Sequence, residues 1–178
     1  MARKPASMYR RLKGQAFTRR QYTGGVPNNR ILRYFMGNRK KAEAGGFPVK
    51  VILIADNSCQ IQDEALEVAR QVANARIRDA AGENYALRMH TYPHQILREN
   101  KQATGAGADR VSQGMRQAFG KNVGTAARVQ RGQTVISIVT TPENYIVARD
   151  ALRKANCKFP TPCTIKVTEG SDHLKGLV

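Results

Sequence analysis

The pattern of apolar and polar positions predicts a strand, a helix and a second strand in the first half of the folded region. Residues 49 to 55 (VKVILIA) are nearly continuously apolar and β-branched, which is typical of a buried strand. Apolar residues then recur on one helical stripe from Leu66 to Ala80, with acids in the first turns and Gly82 placed to end the helix. Residues 85 to 92 (YALRMHTY) alternate between apolar and polar, as a strand with one exposed face does.

A strand followed by a helix occurs again toward the C-terminus. Residues 135 to 140 (VISIVT) predict a buried strand, and Thr141-Pro142-Glu143 predicts a helix start with the Thr141 hydroxyl as N-cap. The amphipathic helix continues to about residue 156, and residues 163 to 168 (CTIKVT) predict a final strand. The predicted fold class is α+β: a two-layer sandwich in which two helices pack on one face of a mixed or antiparallel sheet.

The segment between these halves, residues 94 to 133, contains six glycines and few apolar residues. It predicts a long mobile loop, a short helix around 111 to 119 and a return to the sheet. Residues 94 to 102 are too polar and charged to predict a strand. Compact domains rarely keep such a long loop without a function for it.

The charge of the chain predicts the kind of partner that it binds. The 178 residues include 30 Lys plus Arg against 13 Asp plus Glu, a formal net charge of +17, so the chain is expected to bind a polyanion. Residues 1 to 41 contain no Asp or Glu, and five aromatic side chains lie between their cations: Tyr9, Phe17, Tyr22, Tyr34 and Phe35. Guanidinium groups mixed with aromatic rings suit RNA, through phosphate contacts and base stacking, better than they suit a disordered solubilising tail.

Three regions follow from these patterns. Residues 1 to 47 are predicted to be a basic, extended N-terminal RNA-binding arm. Residues 48 to 170 are predicted to be the α+β sandwich domain, with a mobile glycine-rich loop at about 101 to 112. Residues 171 to 178 are predicted to be a C-terminal tail.

The glycine-rich loop does not match a nucleotide-binding motif. The run from Gly105 to Arg110 begins like a dinucleotide fingerprint but places Arg110 where the third glycine is needed, and no strand is predicted before it. Gly120-Lys121 is followed by Asn122, where a P-loop requires Ser or Thr. Because cations flank the loop, it is predicted to lie along a polynucleotide backbone, where glycines permit close approach.

The inventory of catalytic groups is small. Pro93 separates His90 from His94 and rules out the helical geometry of a zinc site, and the three cysteines form no Cys-x-x-Cys pair. Neither a Gly-x-Ser-x-Gly elbow nor a cysteine-hydrolase signature occurs. The sequence therefore predicts no enzyme activity, no cofactor, no metal and no small-molecule substrate. With no signal peptide and no apolar run long enough for a bilayer, it also predicts an intracellular protein without membrane contact.

Five segments carry a resemblance to a known family: KPASMYR from residue 4, GVPNNRI from 25, MGNRKK from 36, the stretch LRMHTYPHQILRENKQATGAGADRVSQGMRQAFGKNVGTAARVQ from 87, and CTIKVTEG from 163. Together they resemble the archaeal and eukaryotic large-subunit ribosomal protein family L-ten-e, the counterpart of bacterial L-sixteen. The start of the chain and the absence of a long extension after Val178 favour an archaeal source.

The resemblance implies a non-catalytic structural constituent of the large ribosomal subunit in the cytoplasm. It implies an α+β fold at the base of the central protuberance, beside the aminoacyl-tRNA site, with the arm buried in ribosomal RNA and the loop extending toward the peptidyl-transferase centre. The expected partners are large-subunit rRNA, aminoacyl-site tRNA and neighbouring ribosomal proteins. An RNA-modifying enzyme and an RNA-binding regulator outside the ribosome are the alternatives.

The candidate RNA-binding residues fall into two sets. In the arm they are Arg3, Lys4, Tyr9, Arg10, Arg11, Lys13, Arg19, Arg20, Tyr22, Arg30, Arg33, Arg39, Lys40 and Lys41. In and around the loop they are Arg98, Lys101, Gln102, Thr104, Gly105, Gly107, Arg110, Arg116, Lys121 and Arg128. The pairs of adjacent arginines in the arm are the strongest candidates for clamping a phosphate, because aromatic residues stand near them.

Overall fold

The computed structural model describes residues 5–17, 23–100, 105–107 and 120–174. Within these ranges the strands are β1 (Phe35–Gly37), β2 (Val49–Ala55), β3 (Cys59–Gln62), β4 (Tyr85–Met89), β5 (Gln95–Glu99), β6 (Lys121–Val129), β7 (Thr134–Thr140) and β8 (Cys163–Glu169). The helices are α1 (Ala6–Tyr9), α2 (Arg39–Glu43), α3 (Asp63–Ala81) and α4 (Tyr145–Asn156), with short 3₁₀ turns at Pro142–Asn144 and Ser171–Leu174.

A five-stranded antiparallel sheet with strand order β1-β4-β7-β2-β8 forms the centre of the domain. One face of β2 is fully buried through Val49, Val51 and Leu53, since alternate residues of a strand share a face. The long helices α3 and α4 pack on this face through alanines and larger apolar residues such as Leu66 and Leu152. This architecture confirms the predicted α+β sandwich with two helices on one face.

The boundaries of several predicted elements are confirmed, and two details were wrong. Gly82 ends α3 as predicted, with a φ of +58° and its N–H bonded to the Arg78 carbonyl. Strand β4 ends at Met89 rather than residue 92, because the chain then leaves the large sheet for β5. The Thr141 hydroxyl caps no helix N–H; it accepts a hydrogen bond from the Asn144 side chain, and a 3₁₀ turn precedes α4.

A second sheet, with order β3-β6-β5, corrects the prediction for residues 94 to 133, since both ends of the segment predicted to be loop form strands. The short helix predicted around 111 to 119 lies outside the described residues. Strand β6 was missed because its buried positions include Gly124, Thr125, Ala126 and Ala127, so large apolar side chains do not mark it. Residues 94 to 102 were likewise judged too polar, although they contain β5. The β5–β6 pairing extends to Glu99 opposite Lys121, just outside the glycine-rich loop.

Part of the basic N-terminal segment contributes to the core. Ile31 and Met36 are buried in the same apolar cluster as the helices and the large sheet. Strand β1 pairs with β4, and Gly37 is needed there because a Cβ would lie 2.3 Å from the Tyr85 carbonyl oxygen. The last third of the predicted arm is therefore held on the domain by packing and by strand pairing.

Candidate nucleic-acid interface

Residues 9 to 17, which we call the strap, cross the small sheet from one edge to the other. The backbone carbonyls of the strap accept one hydrogen bond from each strand in turn. These bonds are Gln60 N–H to the Arg10 carbonyl (2.8 Å, from β3), Arg128 Nη2 to the Gly14 carbonyl (2.8 Å, from β6) and Ile96 N–H to the Phe17 carbonyl (3.0 Å, from β5). Neighbouring strands lie about 4.8 Å apart, so seven residues readily span the sheet.

Two glutamine side chains fix the ends of the strap. Gln60 Nε2 donates to the Tyr9 carbonyl at 2.7 Å, and Gln95 Oε1 accepts from the Phe17 N–H at 2.7 Å. The open edges of the small sheet are thus occupied by the protein's own arm, which satisfies backbone groups that an edge would otherwise expose.

The strap presents its charged side chains outward while its backbone faces the sheet. Arg10, Arg11 and Lys13 are all exposed. Their formal charges sit on a backbone held in place by hydrogen bonds rather than on a free tail. Such an arrangement suits phosphate binding, because less ordering of the chain is needed when the partner arrives.

Two predicted RNA-binding arginines, Arg98 and Arg128, help to position the strap. The Arg98 guanidinium lies 3.9 Å from the centre of the Phe17 ring, a cation–π contact. Arg128 Nη2 donates to the strap at Gly14, as described above, and its buried Nη1 has no hydrogen-bond partner among the described residues. Tyr9 is also held, with its hydroxyl 3.4 Å from a carboxylate oxygen of Glu99.

A second group of predicted cations lies on and near α2, away from the strap elements. Arg39 pairs with Glu43 at 2.6 Å, Lys41 Nζ donates to Asn84 Oδ1 at 3.1 Å, and Lys40 is exposed. Exposed ion pairs of this kind contribute little to stability and can exchange a carboxylate for a phosphate. Of the remaining arm cations, Arg33 is exposed and Arg30 pairs with Glu64 at 2.5 Å.

Acidic residues at the start of α3 fasten the arm to the domain. The Arg30 N–H donates to buried Asp63 Oδ2 and the Leu32 N–H donates to Glu67 Oε2, each at 3.4 Å. Glu67 also forms a buried, two-point ion pair with Arg70. Hydrogen bonds from Arg70 lower the pKa of Glu67 from its ordinary value, against the opposing effect of burial.

Ten predicted RNA-binding residues lie outside the described residues: Arg3, Lys4, Arg19, Arg20, Tyr22, Lys101, Gln102, Thr104, Arg110 and Arg116. Gly105 and Gly107 are described and exposed, with positive φ angles and open space around them. Lys121 is exposed at the start of β6, next to the loop.

The described residues do not assemble a catalytic centre. Burial raises the pKa of the Cys163 thiol to about 12 and also raises that of Cys59, so neither supplies a thiolate. His90 Nε2 lies 2.7 Å from Ser137 Oγ, and no cluster of three or more potential metal ligands occurs across the ranges the structure describes. None of the helices in those ranges is long and apolar enough to cross a membrane.

Several residues of this surface were not identified from the sequence. The strap depends on Gln60 and Gln95, and Asn122 Nδ2 donates to the carbonyls of Thr23 and Gly25 in the arm. Polar side chains that alternate with apolar ones in a short strand are the only signal for them, and that signal becomes visible once β3 and β5 are recognised.

The fold and this surface define a basic α+β protein whose own arm carries exposed cations on a backbone bonded to the small sheet. Residues 12–166 match the family model described as ribosomal protein L16p/L10e. The chain is 49% identical over 172 residues to the large ribosomal subunit protein uL16 of Picrophilus torridus, covering 96% of each chain. It is 49% identical over 179 residues to the protein of the same name from Archaeoglobus fulgidus, covering 100% of both chains.

The chain belongs to the ribosomal protein L16p/L10e family. Family membership confirms the resemblance seen in the sequence, and the organisms of the relatives confirm the predicted archaeal origin. Members of a ribosomal protein family are structural components, so the family also confirms that the chain is not an enzyme.

Proposed function

We propose that the protein binds large-subunit ribosomal RNA through the outer side of the strap, as a structural constituent of the large ribosomal subunit in the cytoplasm. The observation that carries this proposal is the strap itself: three exposed cations, Arg10, Arg11 and Lys13, on a backbone bonded to all three strands of the small sheet. The matched relatives are named large ribosomal subunit proteins, which supports the choice of RNA.

The finer location is also a proposal. We place the protein at the base of the central protuberance beside the aminoacyl-tRNA site, with residues 101 to 112 extending toward the peptidyl-transferase centre. Support comes from the family resemblance and from the pairing of β5 with β6, since β5 ends and β6 begins at the same end of the small sheet. Aminoacyl-site tRNA and neighbouring ribosomal proteins are the additional partners proposed for this position.

Replacing Arg10, Arg11 and Lys13 together with glutamine is expected to weaken binding of the full chain to deproteinised large-subunit rRNA. Each phosphate contact contributes roughly 0.7 to 0.9 to the slope of log affinity against log salt, so the slope should fall by about 2 to 3. Filter binding over a range of salt concentrations measures both quantities.

The matched control replaces Arg149, Arg153 and Lys158 with glutamine. These three exposed cations lie on or just after α4 and carry the same total charge as the strap cations. The control should change the slope by much less, because α4 lies on the helical layer and not on the strap. Equal losses in the two triple variants would show that binding follows net charge alone and would contradict the proposal.

A further inference from the structure

The face of the large sheet that α3 and α4 leave uncovered contains a basic cleft. It has a volume of about 440 Å³ and is bounded by β1, α2 and the strands β4, β7 and β2. Its lining includes the side chains of Tyr34, Arg39, Lys50, Arg88, His90 and Ser137. Only Arg39 among them was predicted to bind RNA, so this cleft is distinct from the strap and its cations.

Strand register brings two of the cations together. Arg88 on β4 lies opposite Ser137 on β7, and Lys50 on β2 lies opposite the next outward position of β7. Two strand spacings, about 10 Å, and a stagger of two residues along the strands, about 7 Å, separate Arg88 from Lys50, a gap that these long side chains can close around one phosphate. His90 lies two residues beyond Arg88, in the direction away from Lys50, and is hydrogen-bonded to Ser137.

The charge of the cleft is positive and available. Arg88 is exposed and makes no ion pair within the described part of the chain. Lys50 pairs with Glu169, and Arg39 pairs with Glu43, but these side chains are all more than a third exposed. Burial, followed by the nearby Arg88 and Lys50 charges, lowers the pKa of His90.

An aromatic platform adjoins the cations. The ring of Tyr34, on the wall of the cleft, stacks on Tyr92 with centroids 5.4 Å apart and planes 23° apart. Tyr92 in turn contacts the His94 ring at 4.5 Å and remains 46% exposed. Tyr92 is held in place by stacking on Tyr34 and by the tilted contact with His94, so its exposed part can receive a nucleobase without the ordering of a free side chain.

We propose that this cleft is a second RNA site, which holds one phosphate of an unpaired strand between Arg88 and Lys50 and stacks an unpaired base on Tyr92. Charge complementarity argues for a polyanion, because three cations and a single carboxylate line the cleft. The aromatic platform argues for an unpaired strand, since a base within a duplex has no free face. The class of partner, RNA, rests on the proposed function. The contacts proposed for the cleft do not involve the strap.

The test uses the full chain and a 12-nucleotide oligouridine, with fluorescence anisotropy measured over a range of salt concentrations. Arg88→Gln should weaken binding about threefold or more and lower the salt slope by about 0.7, the value for one phosphate of a single strand. Tyr92→Leu should weaken binding roughly fivefold or more without changing the salt slope, whereas Tyr92→Phe should bind like the wild type. The control Arg149→Gln removes the same charge from α4 and should match the wild type more closely than Arg88→Gln.

A 4-thiouridine version of the oligonucleotide locates the contact directly. Crosslinking should label the tryptic peptide that contains Tyr92, and labelling should drop in Arg88→Gln. This peptide spans 89 to 98 in the wild type and 79 to 98 in Arg88→Gln, where the cleavage site at residue 88 is lost. Unchanged affinity, slope and labelling in both cleft variants, with the strap triple variant still impaired, would overturn the second site and leave the proposed function standing. Unchanged binding in all of the variants, including the strap triple variant, would overturn both the second site and the proposed function. Binding of polyglutamate at Arg88 with no effect on RNA would assign the cleft to an acidic protein segment and also overturn the proposal.

Discussion

Replacing Glu67 with glutamine is expected to lower the free energy of unfolding by about 3 kcal/mol, because the substitution leaves the Arg70 charge buried without its carboxylate. The side chains of Glu67 and Arg70 are each only 10% exposed, and Arg70 also contacts the Met36 sulfur. Glu67 accepts the Leu32 N–H as well, so the arm should loosen. A loss of this size corresponds to a melting temperature about 6 to 12 °C lower, measurable by circular dichroism.

The matched control is Glu64→Gln, one turn earlier in α3. Glu64 pairs with Arg30, but these side chains are 37% and 58% exposed, so less than about 1 kcal/mol should be lost. Adding Arg70→Met to the Glu67 variant should recover part of the stability, because the unpaired charge is then removed as well. Equal effects of the two glutamate substitutions would contradict the structural role given to the buried pair.

The difference between the wild type and E67Q should depend on pH in a defined direction. Since hydrogen bonds from Arg70 lower the pKa of Glu67 below its ordinary 4.5, the folded state favours the ionised form. The associated stability is fully present above about pH 4.5 and is lost as the pH falls through the lowered pKa. Chemical denaturation should therefore show that the wild type is more stable than E67Q at pH 7 and that this difference shrinks as the pH falls into the acid range.

Exchanging residues 101 to 112 for a neutral Gly/Ser linker of equal length is expected to impair translation strongly while leaving folding intact. Folding should survive because β5 and β6 already pair at Glu99 and Lys121, and Gly120 packs against the Glu99 backbone. Translation should suffer because the proposed function places this loop beside the aminoacyl-site tRNA. The measurements are thermal unfolding of the purified variant and peptide synthesis by ribosomes that carry it.

A second variant separates charge from backbone in the loop. Lys101→Gln with Arg110→Gln keeps the glycines and should give an intermediate defect if the cations contact phosphate. Normal peptide synthesis by ribosomes containing the full linker replacement would contradict the proposed role of the loop. A large loss of melting temperature would instead show that the loop is structural.

The large sheet and the two long helices were predictable because their buried positions carry large apolar side chains at regular spacing. Val49, Val51 and Leu53 mark β2, and Leu66 and Ile77 mark α3. The small sheet was not predictable, because the interior of β6 consists of glycine, threonine and alanine, which carry no periodic hydrophobic signal. Packing against other elements, rather than intrinsic pattern, makes that segment a strand.

The candidate site, like the fold, was only partly predictable from the sequence. Composition identified the cations of the arm and those around the loop. It could not distinguish Arg10 and Arg11, which are exposed, from Arg98 and Arg128, which hold the strap. Those contacts join residues far apart in the sequence, such as Arg128 and Gly14, and therefore depend on tertiary structure. The alternation of residues 85 to 92 places Arg88 on the polar face of its strand, but its neighbour Lys50 comes from another strand and is apparent only from the register.

Sucrose-gradient fractionation decides whether this protein is a constituent of the large ribosomal subunit that is held there by RNA. Native extract is probed for the protein across the gradient, before and after RNase treatment and with a high-salt wash in parallel. Stoichiometric co-migration with large subunits is expected, and it should survive the wash and be abolished by RNase. Recovery of the protein only in the light, RNA-free fractions would contradict it.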